Sequence, residues 1–154
     1  MISVALENIR STYNVGAILR TSSFFGIKQV ILIGYSGVVV LPNGKRVLHP
    51  KVTKTALGSE KDLEVIFFEN SEEFVKYCHT QAKNIISIEQ SQNSNSIKSW
   101  QPKENDVVVF GNEVDGLSNY LMQNSSTLVE IPRLGKHHSL NVTTACGIVL
   151  SKLL

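Results

Sequence analysis

The chain has 154 residues, 42% of them hydrophobic and 18% charged, with a formal net charge of +2. That suits one globular domain able to bury roughly two-thirds of its unfolded surface. No apolar run approaches the ~20 residues of a membrane span, and the first residues lack the pattern of a secretory leader, so the cytoplasm is the expected compartment. Cys78 and Cys146 have no partner in CxxC spacing. A disulfide framework is therefore not expected, and buried free thiols are.

The charge is unevenly spread. Residues 1–60 carry seven Lys/Arg against two acids, and residues 61–154 carry eight against eleven. A cationic front half attracts a polyanion, although ordinary solubilising surface charge explains the same asymmetry.

In chain order, residues 2–6 read as a strand and residues 8–13 as a turn. Asn14 is expected to cap a helix whose Val15, Ile18, Leu19, Ser22 and Phe25 share one face, with Gly26 stopping it. Residues 29–33 form a continuous apolar strand of the kind covered on both faces. Pro42, Asn43 and Gly44 mark a turn in a loop or small hairpin over residues 34–50. A short helix over 51–57 ends at Gly58. Strands follow at 64–68 and 84–88, with a helix from Ser71 to about residue 82 between them. The polar run 90–96 reads as a surface loop. The remaining elements are a strand at 106–110, a short helix at 118–123, a strand at 127–131 and a terminal helix. In that helix Val142, Ala145, Cys146, Val149, Leu150 and Leu153 form an apolar stripe. Alternating strands and helices predict an α/β fold with a mostly parallel sheet flanked by helices.

Two strand ends empty into unusual loops. One is Gly111-Asn112-Glu113-Val114-Asp115-Gly116-Leu117-Ser118, and the other is Pro132-Arg133-Leu134-Gly135-Lys136-His137-His138 before Ser139-Leu140-Asn141. If their strands are neighbours in a parallel sheet, both loops meet on the edge where open α/β sheets bind ligands. Neither is a P-loop, because no Gly-Lys-Ser/Thr opens a helix, and a dinucleotide GxGxxG is also absent. Glycines at 111 and 116 allow close backbone approach to a ligand, and they equally serve turn geometry. Adjacent histidines at 137 and 138 point apart and have no partner at ligand spacing, so no metal is expected.

With Asn14-Val15-Gly16-Ala17-Ile18-Leu19-Arg20-Thr21 near the start, these loops make three motifs in order along nearly the whole chain. Together they resemble the motifs of the SpoU/TrmH-type RNA ribose methyltransferases of the SPOUT class. The resemblance implies a C-terminal deep trefoil knot, S-adenosyl-L-methionine as cofactor, and a homodimer packed through helices near both termini. It implies an RNA substrate, with tRNA favoured over rRNA because a 154-residue chain leaves no room for an appended RNA-binding domain. It assigns catalysis to Arg20, Asn14, Glu113, Ser139 and Asn141. It assigns cofactor binding to Phe110, Gly111, Asn112, Gly116, Ile131, Pro132, Leu134, Ser139, Leu140 and Asn141. Arg10, Arg20, Lys45, Arg46 and Lys136 are expected along the RNA.

Within that frame Arg20 is best cast as a fixed cation, since a guanidinium with pKa above ~12 hardly serves as a base. Glu113 is placed to orient Arg20 or a bound hydroxyl. Ser139 also suits a helix cap, whereas Asn141 is harder to explain that way. Arg133 departs from the family pattern, where an apolar residue commonly follows Ile-Pro. A non-catalytic RNA-binding module and a base methyltransferase of the same class remain the alternatives.

Overall fold

A computed structural model describes all 154 residues. Its sheet has seven strands: β1 (Ser3–Glu7), β2 (Gln29–Ile33), β5 (Glu64–Phe68), β6 (Asn84–Ile88), β7 (Asn95–Ser96), β8 (Asp106–Phe110) and β9 (Thr127–Glu130). They lie in the order β5-β2-β1-β8-β6-β9-β7, and every pair is parallel. A separate antiparallel hairpin joins β3 (Val38–Val40) to β4 (Arg46–Leu48). The helices are α1 (Thr12–Phe24), α2 (Pro50–Ala56), α3 (Ser71–Thr80), α4 (Asn119–Gln123) and α5 (Val142–Leu150).

The central strands explain their own composition. All five residues of β1 and all five of β8 are buried, because helices cover both faces. Alternation along each strand divides the core in two. Val4, Leu6, Val30, Leu32, Val108 and Phe110 pack with Ile18 and Leu19 of α1 and with Cys146 and Val149 of α5. Ala5, Ile31, Ile33, Val107 and Val109 pack with Phe74 and Cys78 of α3 and with Leu121 of α4. Both cysteines are free and buried, and burial pushes each thiol up to about 12. No helix is long and apolar enough to cross a membrane.

Four expectations need correction. Helix α1 starts at Thr12, capped by the Ser11 hydroxyl, which accepts from Asn14 N at 3.3 Å, so Asn14 is not the cap. Helix α5 is capped by Asn141, whose Oδ1 accepts from Thr143 N at 2.8 Å, and not by Ser139. In both cases the residue directly before the first helical one does the capping, and residue type alone does not say which that is. The polar run 90–96 contributes strand β7, whose Asn95 and Ser96 pair with Val129 and Glu130. Finally, β8 and β9 are not neighbours, because β6 lies between them. Their loops still emerge on one edge, and the end of β6 emerges with them.

Candidate active site

The C-terminal ends of β6, β8 and β9 surround a cavity of about 510 Å³, within the range that holds a small cofactor. Its apolar wall includes Phe110, Ile131, Leu140, Val142 and Ala145. Its polar wall includes Glu89, Glu130, His138 and Ser139, with the backbone of residues 111–116 alongside. A flat aromatic base suits the first wall and hydrogen-bonding groups suit the second.

The loop after β8 is built tightly. Asn112 and Gly116 exchange backbone hydrogen bonds of 3.0 Å in both directions. The Asn112 side chain is buried. Its Oδ1 accepts from Val114 N at 2.8 Å and Asp115 N at 3.0 Å, and its Nδ2 donates to Asn8 O at 2.8 Å and Tyr35 Oη at 3.0 Å. All four of its usual bonding positions are taken. Asn112 therefore lines the cavity as a brace for the loop.

The two glycines are required by contact. A Cβ on Gly111 would lie 2.4 Å from Gly116 C and 2.5 Å from Leu117 N. Gly116 has φ +69°, and a Cβ there would lie 2.4 Å from Glu89 Oε2. Beyond it, Leu117 N donates to Glu89 Oε2 at 3.0 Å. Ser118 donates through its N (2.7 Å) and its Oγ (2.6 Å) to the buried Glu7 carboxylate, which also accepts from Ser71 Oγ.

Glu113 connects this loop to the start of α1. Its carboxylate accepts from Arg10 N at 2.9 Å, Ser11 N at 3.0 Å and Asn14 Nδ2 at 2.8 Å. Burial raises its pKa, but these donors outweigh burial and hold it below the ordinary value. Glu113 thus orients the N-terminus of α1 and Asn14, and it does not touch Arg20.

The loop after β9 is the opposite in character. Residues 131–140 make no backbone–backbone hydrogen bond. Their bonds are local: Arg133 Nη1 lies 3.1 Å from His138 Nδ1, and His137 Nδ1 lies 3.0 Å from Ser139 O. Ile131, Pro132, Ser139 and Leu140 line the cavity. Leu134 does not, being 97% exposed, and neither does Asn141, which is occupied as a cap.

The cations are spread more widely. Arg20 is exposed on α1, outside the cavity and without an ion pair, on a stripe with Tyr13 and Phe24. Arg46 lies 3.8 Å from Glu69, while Lys45 at the hairpin tip, Arg10 and Lys136 are exposed. Arg133, the position that departs from the family pattern, lines the cavity.

Sequence reading missed Glu89 and Glu130, and it placed Val142 and Ala145 on the apolar stripe of the terminal helix without assigning them to the cavity. Glu89 follows β6 directly, and a strand end in a parallel sheet was the available signal.

Comparison with known proteins gives these features a setting. The model of the SpoU rRNA Methylase family matches residues 1–151. A 23S rRNA (guanosine-2'-O-)-methyltransferase, RlmB, of Xylella fastidiosa is 28% identical over 148 residues, covering 96% of this chain and 55% of its own. A tRNA (guanosine(18)-2'-O)-methyltransferase of Borreliella burgdorferi is 25% identical over 153 residues, covering 99% of this chain and 66% of its own. The chain thus spans between half and two-thirds of these relatives. The solved AdoMet-bound rRNA methyltransferase of Sinorhizobium meliloti shares the fold, with a TM-score of 0.84 at 24% identity over 99% of this chain and 55% of that one. With a family match that runs from the first strand through the last helix, and the three motif segments at one sheet edge or tied to it, this chain belongs to the SpoU rRNA methylase family.

Proposed function

We propose that the chain is an S-adenosyl-L-methionine-dependent methyltransferase acting on an RNA ribose 2′-hydroxyl, with tRNA placed ahead of rRNA. The observation that carries this reading is the cavity formed where two motif segments converge, with an apolar wall for adenine and backbone donors and acceptors beside it. Its volume and mixed lining fit the cofactor. The names of the relatives support the reaction, and the tRNA preference rests on the Borreliella relative, matched over the larger share of its length. Such a substrate implies work in the cytoplasm. All described strands but the hairpin join one sheet, which supports a single methyltransferase domain. The insertion of β9 between β6 and β7 is compatible with the threaded C-terminus of a deep trefoil knot.

When bound, the cofactor supplies a methyl group on a sulfonium. Phe110, Ile131, Leu140 and Ala145 would hold its base, and the backbone from Gly111 to Gly116, which lines the same cavity, would supply hydrogen bonds to it. Asn141 uses its Oδ1 for the cap, and its Nδ2 has no partner within the chain. Glu113 carries three donors and a lowered pKa, so it holds Asn14 in place and is a poor proton acceptor. Arg20 supplies a cation to the RNA phosphate and to the charge that develops at the attacking oxygen.

Arg20 lies outside the cavity of its own chain, which supports a homodimer that brings in the arginine of a second copy. Exposed Tyr13 and Phe24 on α1, with Ile148 and Leu154 at the C-terminal end, offer apolar surface for that contact. The test is methylation of total tRNA and rRNA, read as 2′-O-methyl nucleosides by mass spectrometry after nuclease digestion. Arg20→Ala is expected to lose about 100-fold or more in rate with its fold intact. Mixing it with Gly111→Val, each inactive alone, is expected to restore activity. Methyl groups found on bases, or an unchanged Arg20→Ala, would reject this assignment.

A further inference from the structure

The half-buried carboxylate of Glu89 has no role in the mechanism above, yet it stands at the cavity wall in a fixed orientation. Its Oε2 accepts from Leu117 N at 3.0 Å and its Oε1 accepts from the following residue, Gln90 N, at 3.0 Å. A carboxylate offers about four lone-pair sites, so about two remain free. The backbone of Gly116 presses against one side, where a Cβ would lie 2.4 Å from Oε2 and 3.2 Å from Cδ. The side chain is thus clamped between two loops, with its remaining capacity available to the cavity it lines.

A group held this way recognises a pair of neighbouring hydroxyls. Two backbone amides already draw on its charge, so it acts as an oriented double acceptor more than as a free anion. A nucleoside offers a matching pair of donors in its ribose diol, while Phe110 and Ile131 provide the apolar surface for its base. An acidic residue at a strand end in the same position relative to the sheet binds ribose hydroxyls in dinucleotide-binding folds, for the same reason of donor and acceptor count. We propose that Glu89 is a ligand-binding residue that reads the ribose diol of the nucleoside cofactor. The assignment rests on the cofactor reading given above and adds to it a named contact on the ribose.

Isothermal titration calorimetry on the full chain tests this with four probes: S-adenosylhomocysteine, its 2′-deoxy analogue, adenosine and 5′-methylthioadenosine. The wild type is expected to bind the 2′-deoxy analogue about tenfold or more weakly than S-adenosylhomocysteine, the cost of one hydrogen bond to a charged group. In Glu89→Gln, S-adenosylhomocysteine is expected to weaken by a similar factor, while the ratio between the two ligands falls to about twofold. Loop damage alone would weaken both ligands alike and leave the ratio unchanged, which would overturn the assignment. So would a Glu89→Gln effect that vanishes with 5′-methylthioadenosine, since that pattern assigns Glu89 to the amino-acid tail. Binding of S-adenosylhomocysteine by the wild type without a deoxy penalty overturns the diol contact and leaves the cofactor reading standing. Failure to bind any of the four probes would overturn both.

Discussion

The two loops that face each other across the cavity reach the same place by opposite means. The loop after β8 is fastened from every side by Glu7, Asn8, Glu89 and its own Asn112. The loop after β9 is anchored at its start, where Ile131 packs on the core, but its ten residues lack any backbone–backbone bond. A rigid half costs no ordering when a ligand arrives, and an unfastened half can close over that ligand. The contrast lies in what fixes each loop before any ligand arrives: a full hydrogen-bond frame for the first and local side-chain bonds for the second.

The sharpest way to break that contrast is Gly111→Ala. A methyl group there meets the backbone at Gly116 and Leu117, atoms that cannot move aside singly. We expect a loss of about 3 kcal/mol in urea unfolding, with cofactor binding lost as well. A smaller loss of about 2 kcal/mol is expected for Asn112→Ala, which strips partners from Asn8 O, Val114 N and Asp115 N.

Glu113→Gln should act mainly on the pH profile. A carboxyl with a lowered pKa binds fewer protons folded than unfolded, so it stabilises the fold above its ordinary value of 4.5. That contribution disappears as pH falls through the depressed folded value. Unfolding curves from about pH 5 downward should therefore slope less steeply in the variant than in the wild type. The smallest effect belongs to the second loop. Gly135 has open space where a Cβ would be, and Gly135→Ala should stay within about 0.5 kcal/mol of wild type. A large loss there would mean that the loop after β9 is packed after all.

How much of this was legible in the residues depends on the range over which each feature is decided. Apolar runs such as Gln29–Ile33 and Asp106–Phe110 set their own conformation through burial on both faces, and they were readable directly. Caps were not. Ser11 and Asn14 are both good capping residues, and the choice went to Ser11 because Glu113, about a hundred positions away, takes the Ser11 amide and the Asn14 side chain. Strand β7 was equally hidden, since two polar residues pair only because β9 lies beside them. Glu89 was missed because its neighbour in space, Leu117, is 28 positions along the chain. The order of β6 between β8 and β9 carries no local signal at all, and it decides which side chains share the cavity.

The link from Glu113 to the first turn of α1 has a thermodynamic corollary. It joins a helix carrying Arg20 to a loop bordering the cavity through three hydrogen bonds to one side chain. Any coupling this link carries between a ligand on the helix and one in the cavity is reciprocal, each altering the other's affinity by the same factor. Glu113→Gln, compared with the wild type with each ligand alone and with both together, reads the size of that coupling.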